Sequence, residues 1–177
     1  MSNFSFLRGA SHPEELVEQA AALGYRALAI TDECSVAGVV RAWQRCRQQN
    51  IELQLIVGSE FYTEGLHLVV LASSRLGYSQ LCRLITRCRR RASKGEYELE
   101  TSDLSHDDLT DCLLIWHPTG TLATDSAQAD CLKAGAPGRL WVGISNHLTH
   151  DSVNVMRYRQ SLAAQLNLPL VAANQVH

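Results

Sequence analysis

The sequence predicts an α/β fold with a mostly parallel sheet, either open or closed into a barrel. Short apolar runs of strand length alternate with longer stretches of helical periodicity from one end of the chain to the other. The strand candidates are nearly continuous apolar runs, a pattern typical of strands covered by helices on both faces. Linker-like low complexity is absent, so the 177 residues are expected to form one domain, 1–177.

The first half of the chain is predicted to contain two helices and three strands. Ser11 and Glu14 are spaced as a capping box, which predicts a helix that begins at Ser11 and ends near Gly24. The elements that follow are a strand at 26–31, a helix at 36–49 whose apolar face carries Val39, Val40 and Trp43, and strands at 53–58 and 66–72.

In the second half, Leu81, Leu84 and Ile85 recur at helical spacing and predict the next helix. The elements predicted after residue 77 are a helix at 78–91, strands at 112–116, 140–144 and 168–173, and a helix at 153–166. The stretch 119–137 has the weakest pattern, and we interpret it as a variable excursion.

The composition is that of a globular protein, since 46% of the residues are hydrophobic, 19% are charged and the net charge is −2. No apolar run approaches the roughly 18 residues that span a bilayer, and no signal-peptide pattern is present. These observations predict a cytoplasmic protein without a membrane partner. The slightly acidic balance argues against a domain whose whole surface binds nucleic acid. The six cysteines form no CxxC pair, so we expect reduced thiols, with disulfides as the alternative.

Positive charge is concentrated in one short stretch, which we call the basic segment (83–94). Its cations are Arg83, Arg87, Arg89, Arg90, Arg91 and Lys94. They are candidates for contact with nucleic-acid phosphates or with a neighbouring acidic domain. The alternative is a helix C-terminus, where cations complement the helix macrodipole. Both interpretations remain open from the sequence.

Polar side chains follow most of the predicted strands. Those at strand ends are Asp32, Glu33, Glu60, His117, Asn146, His147 and His177, and His67 lies inside a strand. Because active sites of α/β proteins gather at C-terminal strand ends, these residues are candidate ligands for Zn²⁺ or Mn²⁺. The alternatives are that Asp32 caps the next helix and that His117 and His147 are structural histidines. No GxGxxG, P-loop, GxSxG or HExxH motif occurs, so dinucleotide binding, Walker-type NTP hydrolysis and hydrolase-elbow chemistry lack support.

Four segments that together cover nearly the whole chain carry a family resemblance. They are SNFSFLRGASHPEELVEQAAALGYRALAITDECSVAGVVRA, LIVGSEF, LHLVVLASSRLGYSQLCRLITRCRRRASKGEYEL and LPLVAANQVH. In these segments the sequence resembles the N-terminal PHP domain (polymerase and histidinol phosphatase type) of bacterial error-prone, C-family DNA polymerases, which are relatives of DNA polymerase III alpha. The resemblance implies a distorted α/β barrel with mostly parallel strands. In active members of the family, the strand ends hold up to three metal ions.

The resemblance also implies that most of the metal site is lost. The family's opening His-x-His strand lies just before the segment that matches Ser2, so we expect that first strand to be missing. Arg8 stands where the family has an Asp or His ligand, and Glu33 stands where its Thr-Asp-His motif has His. Gln175 replaces the Asp of its closing Asp-x-His motif. A guanidinium repels a metal cation, and an amide is a weaker ligand than a carboxylate.

The ligand positions that keep a matching residue form a vestigial, weak metal site. They are Glu60, His67, His117 and His177. We expect this site to hold at most one weakly bound Zn²⁺ or Mn²⁺, with no tightly bound cofactor and no catalytic residue in this chain. Arg8 and Glu33 are expected to form an ion pair that replaces a lost metal ion.

The function that the resemblance implies is a non-catalytic, metal-degenerate PHP scaffold and interaction domain of an error-prone DNA polymerase. The expected roles are translesion synthesis and DNA damage tolerance, with nucleotidyl transfer performed by a Mg²⁺-dependent polymerase domain outside this chain. Expected partners are the remainder of the polymerase chain, DNA through the full-length protein, and proteins of a mutagenesis complex. The alternative is an active PHP metallophosphoesterase or proofreading exonuclease.

Overall fold

A six-stranded sheet forms the centre of the computed structural model, which describes residues 1–63, 65–104, 108–145 and 152–173. The strands are β1 (Ala27–Glu33), β2 (Gln54–Thr63), β3 (Leu66–Ala72), β4 (Cys112–Trp116), β5 (Leu140–Ile144) and β6 (Leu170–Ala172). The helices are α1 (Pro13–Ala22), α2 (Gly38–Gln48), α3 (Arg75–Arg91), α4 (Leu122–Gly135) and α5 (Ser152–Leu166), with a 3₁₀ turn at Thr101–Leu104.

The strand order follows the chain from β1 to β6, and three of the five neighbouring pairs are parallel. Strand β3 runs antiparallel to both of its neighbours. The sheet curls into a half-barrel, which confirms the predicted α/β class with mostly parallel strands. Because β3 is reversed, its N-terminal end lies beside the C-terminal ends of the other strands. This edge, which we call the rim, collects Glu33, Glu60, Tyr62, His67 and His117.

Two groups of buried side chains hold the helices against the sheet. The larger group joins Phe61 and Leu68 of the sheet to Leu81 of α3, Leu132 of α4 and Leu162 of α5. The smaller group joins α1 and α2 to β1. Each large apolar side chain that leaves water contributes about 1.5–3 kcal/mol, so the two groups fix the helices relative to the rim. The six cysteines are free thiols, and four of them are buried.

Helix α1 begins one residue later than the capping-box pattern predicts. Its N-cap is His12, whose backbone N–H donates to Glu15 Oε2 at 2.7 Å, so the predicted pair of Ser11 and Glu14 is wrong. Pro13 explains the shift, because proline favours the first helical turn and forces the residue before it into an extended conformation. Glu14 instead accepts a hydrogen bond from Arg41 of α2 at 2.6 Å.

Helix α2 is rotated relative to the prediction. Gly38, Ala42 and Cys46 are buried, whereas the side chains of Val40 and Trp43 are 63% and 55% exposed. The predicted apolar face is therefore wrong for two of its three residues. The close approach of Gly38 to the rim explains the rotation, since a Cβ there would overlap a buried carboxylate oxygen of β1.

Within the stretch 119–137, residues Leu122–Gly135 form helix α4, which the sequence pattern did not predict. Ala129 and Leu132 face the larger core group, and Ala136 just beyond the helix joins them. Asp125 stabilises the start of the helix by accepting hydrogen bonds from the backbone N–H groups of Thr119 and Gly120. The sequence did not predict this helix because the stretch is rich in Thr, Ser, Asp and Gly, which are also typical of loops.

Several predicted boundaries shift by a few residues. Strands β1 and β2 extend to Glu33 and Thr63, so both carry rim residues inside the strand. Helix α3 begins at Arg75, because the Ser74 side chain accepts a hydrogen bond from the Gly77 N–H and caps the helix. Within the described parts of the chain, no helix is long and apolar enough to cross a membrane.

Candidate functional site

Parallel and antiparallel pairing brings the predicted rim residues together. Glu33 and Glu60 are neighbours in the register of β1 and β2, and Tyr62 is paired with His67 across β2 and β3. The His117 backbone N–H donates to the His67 carbonyl at 2.9 Å, which places the end of β4 at the rim as well. Residues separated by up to 84 positions in the chain therefore share one edge of the sheet.

Glu60 is a buried carboxylate that the sequence predicted as a metal ligand. Its Oε1 accepts a hydrogen bond from Thr31 Oγ1 at 2.9 Å, and its Oε2 accepts one from the Tyr62 hydroxyl at 2.8 Å. His67 Nε2 lies 3.4 Å from Oε2. Burial by itself would raise the pKa of Glu60, but the hydrogen bonds from His67, Tyr62 and Thr31 lower it to about 2. Both oxygens of this carboxylate are thus occupied by protein donors.

A column of stacked side chains runs along the rim. The Arg8 guanidinium lies 3.8 Å from the centre of the Tyr62 ring, in cation–π geometry. Tyr62 stacks on His67 with ring centres 4.2 Å apart, and His67 stacks on His117 at 4.4 Å. The interplanar angles are 18° and 17°, so the three rings are nearly parallel.

Arg159 and Gly143 hold the buried end of this column. Arg159 Nη1 lies 3.5 Å from His117 Nδ1 and donates to the Gly143 carbonyl at 3.2 Å. Burial lowers the pKa of this guanidinium. Gly143 packs so closely on the imidazole that a Cβ at this position would overlap the His117 ring. The lack of a side chain at residue 143 is therefore what leaves room for His117.

Arg8 and Glu33 are in contact at the outer end of the rim. Arg8 Nη1 lies 3.3 Å from Glu33 Oε2, with the two side chains 38% and 20% exposed. The Tyr97 hydroxyl lies 2.8 Å from the other carboxylate oxygen and accepts a hydrogen bond from the Tyr62 N–H at 2.7 Å. Burial, together with the Glu33 carboxylate, raises the pKa of Tyr97. The carboxylate at position 33 is thus bound by a guanidinium and a phenol.

Asp32 is fully buried, and its acceptors are used by the N-terminal segment. It accepts hydrogen bonds from the Ser2 N–H at 2.6 Å, the Ser2 hydroxyl at 2.9 Å and the Ser5 hydroxyl at 3.0 Å. The interpretation of Asp32 as a cap of the next helix is wrong, because the N-cap of α2 is Ala37. Asp32 instead attaches residues 2–5 to the rim.

The described residues do not form a metal centre. Among them, no group of three or more His, Cys, Asp or Glu side chains is arranged to hold a metal ion. The lone pairs of imidazole lie in the ring plane, so the nearly parallel rings of His67 and His117 cannot both point at one ion about 2.0–2.1 Å away. Four predicted residues, Asn146, His147, Gln175 and His177, lie outside the described part of the chain.

The basic segment divides into cations with internal partners and cations that face outward. Arg87 and Arg91 bind Asp103 at 3.3 Å and 2.7 Å, and Arg89 donates to backbone carbonyls at the end of β1. Arg83 and Arg90 are exposed on α3, as is Lys94 just beyond the helix. Four arginines of α3, Arg83, Arg87, Arg90 and Arg91, line a shallow, open cleft of about 710 Å³ on the outer face of this helix.

Sequence reasoning missed four residues that shape the rim: Tyr62, Tyr97, Gly143 and Arg159. A signal existed for Tyr62, because side chains two residues apart on a strand point to the same face, and Glu60 was already a candidate. The other three come from a loop, from β5 and from α5, and no local pattern connects them to the rim.

Comparisons with known proteins agree with this architecture. Residues 1–123 match the family described as the PHP domain. The chain is 47% identical over 176 residues to an error-prone DNA polymerase of Vibrio vulnificus, and 50% identical over 178 residues to one of Pseudomonas aeruginosa. These alignments cover 99% and 100% of this chain but only 17% of each relative.

Two solved structures share the fold at low sequence identity. One is a putative metal-dependent phosphoesterase from Bifidobacterium adolescentis, with a TM-score of 0.65, 13% identity, and coverage of 97% of this chain and 84% of that one. The other is an amidohydrolase from Chromobacterium violaceum, with a TM-score of 0.59, 13% identity, and coverage of 94% and 83%. At this identity the likeness concerns the fold alone.

Proposed function

The chain belongs to the PHP domain family, and on that premise we propose that it is a non-catalytic, metal-degenerate scaffold domain of an error-prone DNA polymerase. We further propose that the polymerase acts in translesion synthesis and DNA damage tolerance. The observation that supports the non-catalytic role is the rim, where protein donors occupy both oxygens of Glu60. These donors use lone pairs that a metal ion would otherwise share, which weakens Glu60 as a metal ligand.

The other rim residues also support a non-catalytic role. PHP-type phosphoester hydrolysis needs cations to polarise the phosphate and to lower the pKa of a bound water. The Arg8 guanidinium already supplies a positive charge beside Glu33, and its repulsion disfavours a metal ion there. In this proposal the ion pair and the stacked rings hold the strand ends together in place of metal ions.

A scaffold must also present a surface to its partners. Phe6 and Leu7, in the loop that follows Ser5, are 84% and 91% exposed, which is unusual for large apolar side chains. The relatives are about six times longer than this chain, so the remainder of the polymerase is the partner that we propose for this loop. DNA and proteins of a mutagenesis complex are further proposed partners, reached through the full-length protein.

Metal analysis tests the non-catalytic role. The purified chain, incubated with Zn²⁺ or Mn²⁺ and then desalted, should retain fewer than one transition metal ion per chain. It should hydrolyse neither single-stranded DNA nor a bis-aryl phosphodiester in the presence of Mn²⁺. Glu60→Gln is the matched control, because activity that is unchanged in this variant comes from a contaminant. Two or three bound metals, with turnover that Glu60→Gln abolishes, would establish the active metallophosphoesterase instead.

The scaffold role is tested in the full-length polymerase that contains this domain. Replacing Phe6 and Leu7 together by serine should weaken the attachment of the domain and lower primer-extension activity, whereas Glu60→Gln should change that activity less than twofold. A polymerase that is unaffected by the Phe6 and Leu7 substitutions would show that this loop is not the attachment surface.

A further inference from the structure

We propose that the outer face of α3 binds the phosphodiester backbone of single-stranded DNA without sequence preference. This site is separate from the rim, and the proposal does not depend on whether the rim is catalytic. Arg83, Arg87 and Arg90, at positions i, i+4 and i+7, lie on one face of the helix and line the cleft of about 710 Å³. Their Cα positions are spaced by about 6 Å and about 4.5 Å along the helix axis, so the cleft offers a row of cations.

The charge of the cleft suits an anionic ligand. Its lining consists of four arginines with Ser79, Thr86 and Cys82, and none of these described lining residues is a carboxylate. Arg83 and Arg90 are exposed and form no ion pair with any residue that the structure describes. The whole chain carries a net charge of −2, so this row is a local concentration of positive charge on an otherwise slightly acidic protein.

Internal ion pairs orient the remaining guanidinium groups. Arg87 is held by Asp103 at 3.3 Å and by Asp108 at 3.1 Å, and Arg91 is held by Asp103 at 2.7 Å. Asp103 is 2% exposed, and Asp108 and Glu100 bind Arg87 and Arg91 from the more exposed side. Arg83 and Arg90 are therefore the guanidinium groups that remain to bind phosphates.

The lining favours a nucleic-acid backbone over an acidic protein segment. No aromatic or aliphatic side chain lines the cleft, whereas the buried centre of a protein–protein interface is largely apolar. Cations and hydroxyls are sufficient to bind phosphates without reading bases. A single strand is the form that we propose, because its flexible backbone can place successive phosphates along a short row of cations.

The experiment measures fluorescence anisotropy of a labelled twenty-nucleotide oligothymidylate with the full 177-residue chain, in KCl from about 50 to 200 mM. The test variant combines Arg83→Gln with Arg90→Gln. The matched control combines Arg26→Gln with Arg157→Gln, two exposed arginines outside the cleft, and removes the same charge. Circular dichroism of each variant verifies that the fold is retained.

We expect the unmodified chain to bind the oligonucleotide and the test variant to bind it at least tenfold more weakly at the lowest salt. The slope of log K against log salt should fall in magnitude by about 1.4, since each lost phosphate contact on a single strand contributes about 0.7. The control variant should stay within twofold of the unmodified chain. A duplex of the same length should bind more weakly than the single strand.

Three outcomes would overturn the proposal. The first is an absence of binding by the unmodified chain at the lowest salt, and the second is an equal loss of affinity in the test and control variants. The third is tighter binding of a polyglutamate of matched charge, which would identify an acidic protein segment as the ligand. None of these outcomes bears on the metal content or phosphodiesterase activity of the rim, so the two proposals fail independently.

Discussion

At the outer rim, a guanidinium and a phenol surround Glu33, and at the inner rim two imidazoles stack beside Glu60. These side chains satisfy one another with hydrogen bonds and ring contacts. Carboxylates that converge on a strand end repel each other unless a cation or hydrogen-bond donors lie between them. Here the protein itself supplies those groups. The rim is therefore held by hydrogen bonds, an ion pair and ring contacts, and its energetics can be measured one residue at a time.

The contact between Arg8 and Glu33 should show measurable coupling. In a double-mutant cycle of Arg8→Ala and Glu33→Ala, followed by urea unfolding, we expect a coupling free energy of about 1 kcal/mol. The value lies at the upper end for a partly exposed pair, because the guanidinium also stacks on Tyr62. Arg8→Lys should lose part of this coupling, since an ammonium does not stack flat on the Tyr62 ring as the guanidinium does. Coupling below about 0.5 kcal/mol would contradict the ion-pair interpretation.

Gly143→Ala should destabilise the fold by about 2–3 kcal/mol in urea unfolding, because the new Cβ would overlap the His117 ring. Gly24→Ala is the control, since Gly24 has a positive φ but open space around it, and strain alone should amount to about 1 kcal/mol. If the overlap is the cause, Gly143→Ala should be much less destabilising in a His117→Ala background. An equal effect in both backgrounds would assign the loss to the backbone of β5.

At the scale of the elements, α3 is connected to the rest of the molecule through its arginines as well as its apolar stripe. Arg87 and Arg91 bind Asp103, which lies in the 3₁₀ turn, and Arg89 reaches the carbonyls of Glu33 and Cys34. The helix thereby contacts the turn and the end of β1 at once. The other cations of the basic segment face solvent. Which cations are exposed depends on how α3 packs, and the number of charges in the sequence does not predict it.

The buried carboxylate of Asp103 should make stability depend on pH. Hydrogen bonds from Arg91 lower the pKa of Asp103 below its ordinary value of 3.8. A group with a lowered folded pKa stabilises the fold above its unfolded pKa, and this contribution is lost as the pH falls through the folded value. Asp103→Asn should therefore lower the free energy of unfolding by on the order of 2 kcal/mol near neutral pH.

Urea unfolding of the chain and of Asp103→Asn between about pH 7 and pH 2 checks this prediction. The difference between the two should shrink once the pH falls below about 4, where the aspartate of the unfolded chain becomes protonated, and should vanish below the lowered folded pKa. Asp130→Asn, which removes an exposed carboxylate from α4, should change stability by less than about 0.5 kcal/mol. A difference that stays constant with pH would show that Asp103 acts by shape and not by charge.

At the scale of the whole molecule, the chain spans about 17% of the length of the curated relatives that it matches. Its six-stranded sheet carries a network of intramolecular contacts at the rim, and its α3 face presents arginines to solvent. We propose that nucleotidyl transfer belongs to a separate domain of the polymerase, which binds Mg²⁺ through its own carboxylates.

The purified chain should accordingly show no template-directed primer extension with Mg²⁺ and all four deoxynucleotides. A full-length polymerase assayed beside it serves as the positive control. Primer extension that copurifies with the chain and depends on its own carboxylates would contradict the assignment of a scaffold domain.

The sequence by itself determined the α/β class, most strands and helices, and the positions of Glu33, Glu60 and His117 at strand ends. The reversal of β3, which brings His67 to the same edge, is a feature of the tertiary structure. Hydrophobic periodicity encodes the helices and strands, because it depends on residues a few positions apart. The resemblance to PHP domains rests on the sequence as well, and the family match confirms it.

Only the tertiary structure decided how these elements contact one another. The rotation of α2 depends on the fit of Gly38 against Asp32, and the stacked column needs Gly143 and Arg159 from elements far along the chain. The sequence did not predict helix α4 because its composition is typical of loops. In the structure its apolar residues pack against the larger core group. Local sequence specifies which residues prefer to be buried, but close packing between segments distant in the chain decides which atoms occupy the space beside them.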